Sequence, residues 1–198
     1  MNKKLIYLLI ILLLMSCKKE ESILIKQIST NEMATINLDH QYVETKDSFC
    51  LTIPVEFEII QKNPDLKSIH LYYIKINNRR LLDDISDYQV YDKQNKRTPI
   101  YFSLNKNQLS SQQIFKIIVK IRTQMISKKD AQELLKKYSI NQPIETLKLN
   151  DTIKLKSVSE FKKENKNIID SFRKINDSIV FVYSNGQENK SIKQKINW

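Results

Sequence analysis

Glycine is almost absent from this sequence, which contains a single glycine, Gly186, in 198 residues. Since glycine usually makes up about 7% of a protein, the depletion is strong. Nucleotide-binding folds that cradle phosphates with a G-x-G-x-x-G or P-loop sequence are therefore excluded. Turns must instead rely on asparagine, aspartate, serine and proline.

Histidine is also scarce, and its placement argues against metal chemistry. His40 and His70 are the only histidines, without the H-x-x-x-H or paired-cysteine spacing of a zinc site, which takes three or four ligands. We predict structural or surface roles for both residues, and neither a metal nor another cofactor. No G-x-S-x-G sequence is present to support a serine hydrolase built around either histidine.

Acidic residues are outnumbered, since 33 lysines and arginines oppose 22 aspartates and glutamates, for a formal net charge of +11 at pH 7. A basic protein can bind nucleic acid. Here the basic residues are dispersed over predicted helices and strands, and an apolar run near the N-terminus predicts export. This pattern favours an anionic envelope polymer or an acidic protein partner, and no nucleic acid.

The N-terminus carries an apolar run of 11 residues, Leu5 to Met15, directly after Lys3 and Lys4. The run is too short to span a bilayer, which needs about 20 residues. It has the length of the apolar core of a signal peptide. Ser16 and Cys17 end the run, and a charged segment, residues 18–21, follows.

The sequence Leu14-Met15-Ser16-Cys17 resembles the lipobox of a bacterial lipoprotein signal peptide. The resemblance covers residues 1–21 and implies cleavage after Ser16, with a diacylglycerol on the sulfur of Cys17. Two or more acyl chains would anchor the protein durably in a membrane. The alternatives are an ordinary secretory signal, which usually has a small residue at the position of Leu14, and an anchor helix, which would continue beyond Ser16.

Residues after Cys17 bear on the final location of the protein. In lipoproteins of the familiar type an aspartate at this position favours the inner membrane, so Lys18 favours the outer membrane. The charged residues 18–21 are also similar to signals that direct some lipoproteins to the cell surface, although a solvated tether explains them equally well. We expect a lipid-anchored envelope protein in the outer membrane, facing the periplasm or the exterior.

Lipidation of Cys17 would leave Cys50 as the only free thiol, and an intrachain disulfide is then excluded. A lone cysteine in a strand is usually a small buried apolar residue, and we predict this for Cys50. A reactive nucleophile is the alternative.

We predict three segments along the chain. They are a signal peptide at 1–16, a lipidated cysteine and tether at 17–32, and one globular domain at 33–198. The apolar residues 23–25 leave open a tether that leads into a first strand. Within the domain, residues 33–125 are strand-rich, and residues 126–198 carry helices and a terminal hairpin.

The strand-rich part predicts an antiparallel β-sandwich of immunoglobulin-like type, although the Cys…Trp…Cys spacing of that family is absent. Residues 49–59 show strict alternation of apolar and other residues, and Pro54 within them indicates an edge strand or a bulge. The alternation slips within residues 68–77, which indicates a bulge or burial on both faces. Further strands are predicted at 34–38, 88–91, 99–104 and 114–122.

Two amphipathic helices are predicted in the C-terminal half, which makes the fold a β-rich α+β fold. The first begins at Ser127. The second begins at Ser157, which forms a capping box with Glu160, and runs to residues 176–177 with Asn165 interrupting its apolar stripe. Strands at 152–155 and 178–183, a hairpin turn at 185–186 and a last strand at 192–198 complete the prediction.

Two groups of carboxylates could carry chemistry. Asp83, Asp84 and Asp87 could bind calcium, but they lack the regular spacing of calcium loops, which favours a solvated turn. Glu56 and Glu58 lie about 7 Å apart by strand rise, a spacing that paired-carboxylate glycosidases use. An exposed charged face is the favoured interpretation of this pair.

Tyrosines cluster in the strand-rich half, and those that are exposed would suit recognition of sugars or proteins. The cluster consists of Tyr72, Tyr73, Tyr88, Tyr91 and Tyr101.

We predict a non-enzymatic, lipid-anchored binding or assembly module for a protein or an envelope polymer, with Cys17 as its one assigned site. An immunity protein that neutralises an envelope-acting toxin and a hydrolase with dispersed catalytic residues are the alternatives. A deep pocket holding His70 or the pair Asp83-Asp84 would favour the hydrolase. A flat aromatic patch or an open sheet edge would favour binding.

Overall fold

The structure is a computed structural model, and it describes residues 21–39, 42–81, 87–149, 151–172 and 177–198, with the backbone alone at Phe172. The predicted signal peptide, Cys17, His40, Asp83 and Asp84 lie outside these residues. Within the described ranges, no helix is both long enough and apolar enough to cross a membrane.

The described residues form twelve strands in two antiparallel sheets, which confirms the prediction of a β-rich fold. The strands are β1 (Ile23–Ile28), β2 (Met33–Leu38), β3 (Ser48–Gln61), β4 (Ser68–Ile76), β5 (Arg79–Leu81), β6 (Tyr88–Asp92), β7 (Ser103–Asn105), β8 (Ile114–Ile121), β9 (Met125–Ser127), β10 (Thr152–Ser157), β11 (Ser178–Ser184) and β12 (Asn189–Lys195).

Short helices connect some of these strands. In the described part of the chain they are α1 (Lys106–Ser111), α2 (Lys128–Lys137), α3 (Val158–Glu164) and α4 (Lys166–Phe172), with a 3-10 turn at Ile144–Thr146. Serine caps begin two of them as predicted, because the Ser127 hydroxyl accepts from Asp130 N at 3.1 Å and the Ser157 hydroxyl accepts from Glu160 N at 3.4 Å.

The larger sheet has seven strands in the order β10-β2-β3-β8-β6, with β1 and β9 also paired to β3. The smaller sheet has five strands in the order β12-β11-β4-β5, with β7 paired to β4. Strand β3 is therefore the centre of the larger sheet. Its N-terminal part pairs with β2 and β9, and its C-terminal part pairs with β1 and β8.

The apolar face of β3 enters two different hydrophobic cores. Val55, Phe57 and Ile59 join a two-sheet core, in which residues of β4 and β11 cover the larger sheet. Phe49, Leu51 and Ile53 join a helix-covered core, to which α2, α3 and α4 contribute apolar residues. The alternation in the sequence thus correctly identifies the buried face of this strand. A second sheet packs on one part of that face, and helices pack on the other.

Pro54 lies on this central strand, so the predicted edge position is wrong for the strand as a whole. The pairing of β3 nevertheless has a local gap here. Pairing with β2 ends at Thr52 and pairing with β1 begins at Glu56, so Pro54 falls between the two neighbours. A residue without an N–H is tolerated at a local break of this kind.

The slip in the alternation of β4 is a bulge. Val180 of β11 pairs with Tyr73, whereas the next residue, Phe181, pairs with Leu71. Tyr72 is therefore an extra residue on β4, and its side chain is exposed. The bulge confirms one of the two explanations that the sequence allowed.

Several predicted boundaries need correction. Strand β1 lies inside the segment assigned to the tether and pairs with β3, so the folded part begins by Ile23 and not at residue 33. Of the strand predicted at 99–104, only Ser103 and Leu104 are extended in β7. The last strand begins at Asn189 and ends at Lys195, several residues earlier than predicted.

The predicted second helix is two helices, because Asn165 ends α3. The buried Asn165 side chain donates to Phe161 O at 2.9 Å and to the Tyr138 hydroxyl at 2.5 Å, and it accepts from Lys137 Nζ at 2.8 Å. An asparagine side chain that binds the preceding turn competes with the helical backbone. Among the described side chains of α4, Ile169 is buried, whereas Ile168 is only partly buried.

Candidate functional site

Those residues singled out in the sequence that the structure describes do not form one site. His70 lies on β4 with its ring nitrogens 3.0 Å from Ser103 Oγ and 3.4 Å from Ser68 Oγ. Asp87 lies 4.0 Å from the guanidinium of Arg79. Among the described residues, no group of three or more histidine, cysteine, aspartate or glutamate side chains could hold a metal ion.

Cys50 is buried, and its surroundings favour the thiol over the thiolate. Burial raises the pKa of the Cys50 thiol to about 11. The sulfur donates to Arg122 O at 2.9 Å and lies 3.7 Å from the Thr52 hydroxyl. A nucleophilic cysteine needs an accessible thiolate, so these surroundings suit a structural role.

Glu56 and Glu58 are both paired with lysines, and the predicted exposed charged face is wrong for Glu56. Glu56 is only 4% exposed and binds Lys93 at 2.7 Å. Lys93 also lies 3.4 Å from Glu32. Glu58 lies 3.3 Å from Lys116. Both carboxylates form ion pairs with lysines of the protein. Neither is therefore unpaired and open to a glycosidic bond, as a catalytic carboxylate of a glycosidase is.

The tyrosine cluster divides into buried and exposed members. Tyr88 and Tyr91 are buried, whereas Tyr72 is 56% exposed and Tyr101 is 74% exposed. The guanidinium of Arg80 lies over the Tyr72 and Tyr73 rings, 4.9 and 4.5 Å from their centres. Exposed aromatic side chains are therefore present, as recognition of a sugar or protein would require.

Tyr101 lines a pocket of about 310 Å³, which we call the amide pocket. Its lining is partly apolar, and half of its polar side chains, four of eight, are amides. The lining residues are Asp92, Gln94, Asn95, Ile100, Tyr101, Phe102, Ser103, Leu104, Gln108, Gln112, Phe115, Lys116 and Ile117.

One wall of the amide pocket is the connection between β6 and β7. Ile100 N donates to Val90 O at 2.7 Å, and Leu71 N donates to Phe102 O at 3.0 Å, so the connection is attached to both sheets. At its start, the Asp92 side chain accepts from Gln94 N at 2.7 Å. These bonds fix the backbone on both sides of the Tyr101 side chain.

The opposite wall is helix α1 and the start of β8. A capping box holds the helix, because the Asn105 side chain accepts from Gln108 N at 3.2 Å and Gln108 Oε1 accepts from Asn105 N at 2.9 Å. This helix was not predicted from the sequence. The spacing of Asn105 and Gln108 was the signal that could have revealed it.

The chemistry of the amide pocket suits a neutral, hydroxyl-rich ligand. Side-chain amides both donate and accept hydrogen bonds, as sugar hydroxyls do. Asp92 is the one carboxylate among the described lining residues, and the one cation, Lys116, is paired with Glu58. An aromatic ring such as that of Tyr101 can pack on the apolar face of a sugar ring.

Comparison with known proteins gives no relatives. No protein-family model, no curated protein and no solved structure matches this chain. The site must therefore be interpreted from its own geometry.

Proposed function

We propose that this protein is a lipid-anchored, non-enzymatic binding protein of the bacterial cell envelope that holds a polysaccharide in the amide pocket. The proposal rests mainly on Tyr101, which is 74% exposed and lines a pocket that contains four side-chain amides. An exposed tyrosine beside a polar cleft offers an apolar ring face and a hydroxyl, the two features that a sugar ring can engage.

The carboxylates of the pocket support binding over hydrolysis. Most glycoside hydrolases use two carboxylates, one on each side of the scissile bond. Among the described residues that line the amide pocket, Asp92 is the only carboxylate, and His70 is not part of the lining. The pocket therefore suits a site that holds a glycan without cleaving it.

The short connection to the predicted anchor supports a role close to a membrane. Strand β1 begins at Ile23, six residues after Cys17. Six extended residues span at most about 20 Å. With a diacylglycerol on Cys17, the start of β1 would stay within this distance of the lipid surface, where envelope polymers are attached or pass.

We also propose that the two-sheet half is immunoglobulin-like. The larger sheet contains the neighbours β1-β3-β8-β6, and the smaller sheet contains β12-β11-β4. In chain order these strands correspond to the A-B-E-D and G-F-C sheets of an immunoglobulin constant-type domain. An experimental structure in which β1 does not pair with β3, or in which β11 does not separate β12 from β4, would contradict this assignment.

A glycan-binding measurement tests the amide pocket. We expect the full chain, purified in detergent, to bind one class of bacterial envelope glycan on an array, and the Tyr101→Ala variant to bind it at least about tenfold more weakly. Tyr72→Ala is the matched control, because Tyr72 is exposed but does not line the pocket. Undiminished binding by Tyr101→Ala would contradict the site, and cleavage of the bound glycan would favour the hydrolase alternative.

Mass spectrometry tests the anchor independently. Wild-type protein extracted from membranes should carry a diacylglycerol on Cys17 and lack residues 1–16, whereas Cys17→Ala should retain the signal peptide and carry no lipid. Recovery of the wild type as an unmodified, water-soluble chain would refute lipidation and would leave the glycan-binding result unaffected.

A further inference from the structure

A second pocket, of about 230 Å³, lies on the outer face of the larger sheet, and we call it the cationic pocket. On β8, Val119 and Ile121 point into the two-sheet core, so Lys120 between them points away from it. Its neighbours on adjacent strands are Gln89 of β6 and Pro54 of β3. Lys120 and Arg122 both line the pocket, which contains no residue of the amide pocket.

Carboxylates of the described residues do not neutralise the two cations of this pocket. Lys93 and Lys96, on the same side of the sheet, are paired with Glu56 and Glu32. In contrast, neither Lys120 nor Arg122 forms an ion pair with a carboxylate in the described ranges. The described lining residues likewise include no aspartate or glutamate.

Lys120 is held in a partly buried setting with charges of both signs around it. Burial is the main cause that lowers the pKa of Lys120; among the nearby charges Glu32 raises it most, whereas Lys96, Lys154 and Arg122 lower it. The Lys120 ammonium lies 4.3 Å from the centre of the Tyr91 ring, which holds it over the aromatic face. An anion beside Lys120 and Arg122 would supply the negative partner that the described lining residues lack.

One neutral side chain of the pocket, Thr152, keeps a hydrogen-bond donor for a ligand. Asn37 Oδ1 accepts from the hydroxyls of Thr35 and Thr52 at 3.1 and 3.4 Å, so the hydrogens of these two hydroxyls are already used. Asn37 Nδ2 donates to Asp151 O at 3.2 Å and to Thr152 Oγ1 at 2.6 Å. Because Thr152 accepts this bond, its own hydroxyl hydrogen is free to donate, which suits an acceptor ligand.

Gln89 likewise keeps donors for a ligand on the other side of the pocket. Its Oε1 accepts from the Tyr91 hydroxyl at 2.8 Å. The Gln89 amide nitrogen therefore keeps its two hydrogens for a ligand, and it adjoins Lys120 through the strand pairing of β6 with β8. Charged donors and neutral donors thus line one small cavity.

We propose that the cationic pocket binds an oxyanion, the phosphate or carboxylate group of a small organic ligand. Lys120 and Arg122 supply charged hydrogen bonds, which are the strong ones for such groups, and Gln89 and Thr152 supply neutral donors. The volume lies just below the range of about 300–1,000 Å³ that is usual for drug-sized ligands, so the pocket suits a small anion rather than a polymer. This inference does not depend on glycan binding in the amide pocket.

Isothermal titration calorimetry on the full chain in detergent tests the proposal, with inorganic phosphate and glucuronate as separate probes at low salt. We expect saturable binding of at least one probe with one site per chain and a dissociation constant on the order of 1 mM or lower. Binding of phosphate alone would assign a phosphorylated ligand, and binding of glucuronate alone would assign a carboxylate ligand. Both results support an oxyanion site.

Variants locate the bound anion. Lys120→Met and Arg122→Gln should each weaken binding at least about tenfold, whereas Lys193→Gln, an exposed lysine of the smaller sheet, should leave it unchanged. Tyr101→Ala should also leave it unchanged, which separates this site from the amide pocket. Absence of saturable binding of both probes to the wild type would refute the proposal. Equal weakening by Lys193→Gln would do the same, since it would indicate unspecific attraction to a basic protein.

Discussion

The two halves of this protein use one strand but cover it in different ways. In the two-sheet half, the cover of β3 is a second sheet whose strands are hydrogen-bonded to one another. In the helix-covered half, the cover consists mainly of short helices, of which the longest described, α2, has 10 residues. Helices of this length are marginal on their own in water.

The comparison shows which half depends more on docking. A sheet retains its ladder of hydrogen bonds when its cover loosens, whereas a short helix that leaves the core loses the packing that keeps it helical. We therefore expect the helix-covered half to open locally at a lower free energy than the two-sheet half. Changes in each half can test this difference.

The largest effects should come from the buried phenylalanines. Phe57 of the two-sheet core and Phe161 of the helix-covered core are both 0% exposed. Replacement of either by alanine should lower the free energy of unfolding by about 3–5 kcal/mol, because each leaves a cavity. Urea denaturation, followed by far-UV circular dichroism and by the fluorescence of Trp198, measures both changes.

Since β3 belongs to both cores, the two optical probes should report one cooperative transition in wild type and variants. Phe57→Leu and Phe161→Leu are the controls and should lose less stability than the alanine variants, since they leave smaller cavities. Two separate transitions would show that the halves are independent, and the shared strand would then not couple them.

A buried aspartate joins the two halves and should give the next largest effect. Asp177 is 2% exposed and accepts from Trp198 Nε1 and from Asn77 N, each at 2.8 Å. Trp198 packs against both cores. Asp177→Ala should lower the free energy of unfolding by about 2 kcal/mol, because it leaves two donors without their partner.

Trp198→Phe separates the hydrogen bond from the packing at this junction. It removes the Nε1 donor and keeps an aromatic ring, so the loss in urea denaturation should be about 1 kcal/mol. If Asp177→Ala were as stable as the wild type, Asp177 would not contribute to the coupling of the two halves.

The helix caps allow a smaller and more local perturbation. Ser127→Ala and Ser157→Ala remove the caps of α2 and α3 in the helix-covered half, and Asn105→Ala removes the cap of α1, which buries Leu109 in the two-sheet core. Each change should cost about 1 kcal/mol. Hydrogen exchange should become faster in α2 and α3 for the serine variants, with β4 and β11 unchanged. Equal acceleration in β4 and β11 would mean that the halves open together.

Cys50 should give the smallest effect at neutral pH, where its thiol is protonated in both states, and its contribution appears as a dependence of stability on alkaline pH. Burial raises the pKa of its thiol from 9.0 to about 11 in the folded protein. Above pH 9.0 the unfolded chain loses this proton while the folded chain retains it, so stability should fall as pH rises towards about 11. The difference in urea denaturation between wild type and Cys50→Ala isolates this group from the tyrosines. If the difference in unfolding free energy between wild type and Cys50→Ala did not vary over this pH range, the Cys50 thiol would be more exposed to water than the structure shows.

Much of the fold could be predicted from local patterns, and the pockets could not. Alternation identified β3 and β8, and serine followed by an acidic residue marked the starts of α2 and α3. The amide pocket combines a connection after β6, helix α1 and strand β8, whose residues are separated in the chain. The cationic pocket likewise joins residues of β2, β3, β6, β8 and β10. No local period links such residues, because only strand pairing brings them together.

The sequence by itself determined which faces are apolar, where most strands and helix caps lie, and which glycine-dependent functions are excluded. These features depend on neighbours a few residues apart, through side-chain periodicity and local hydrogen bonds. The tertiary structure alone decided that β3 serves two cores and that Glu56 is buried beside Lys93. It also decided that Lys120 and Arg122 face a pocket whose described lining has no carboxylate. Such features depend on the order of the strands and on the elements that cover each sheet. Contacts between residues distant in the chain select both.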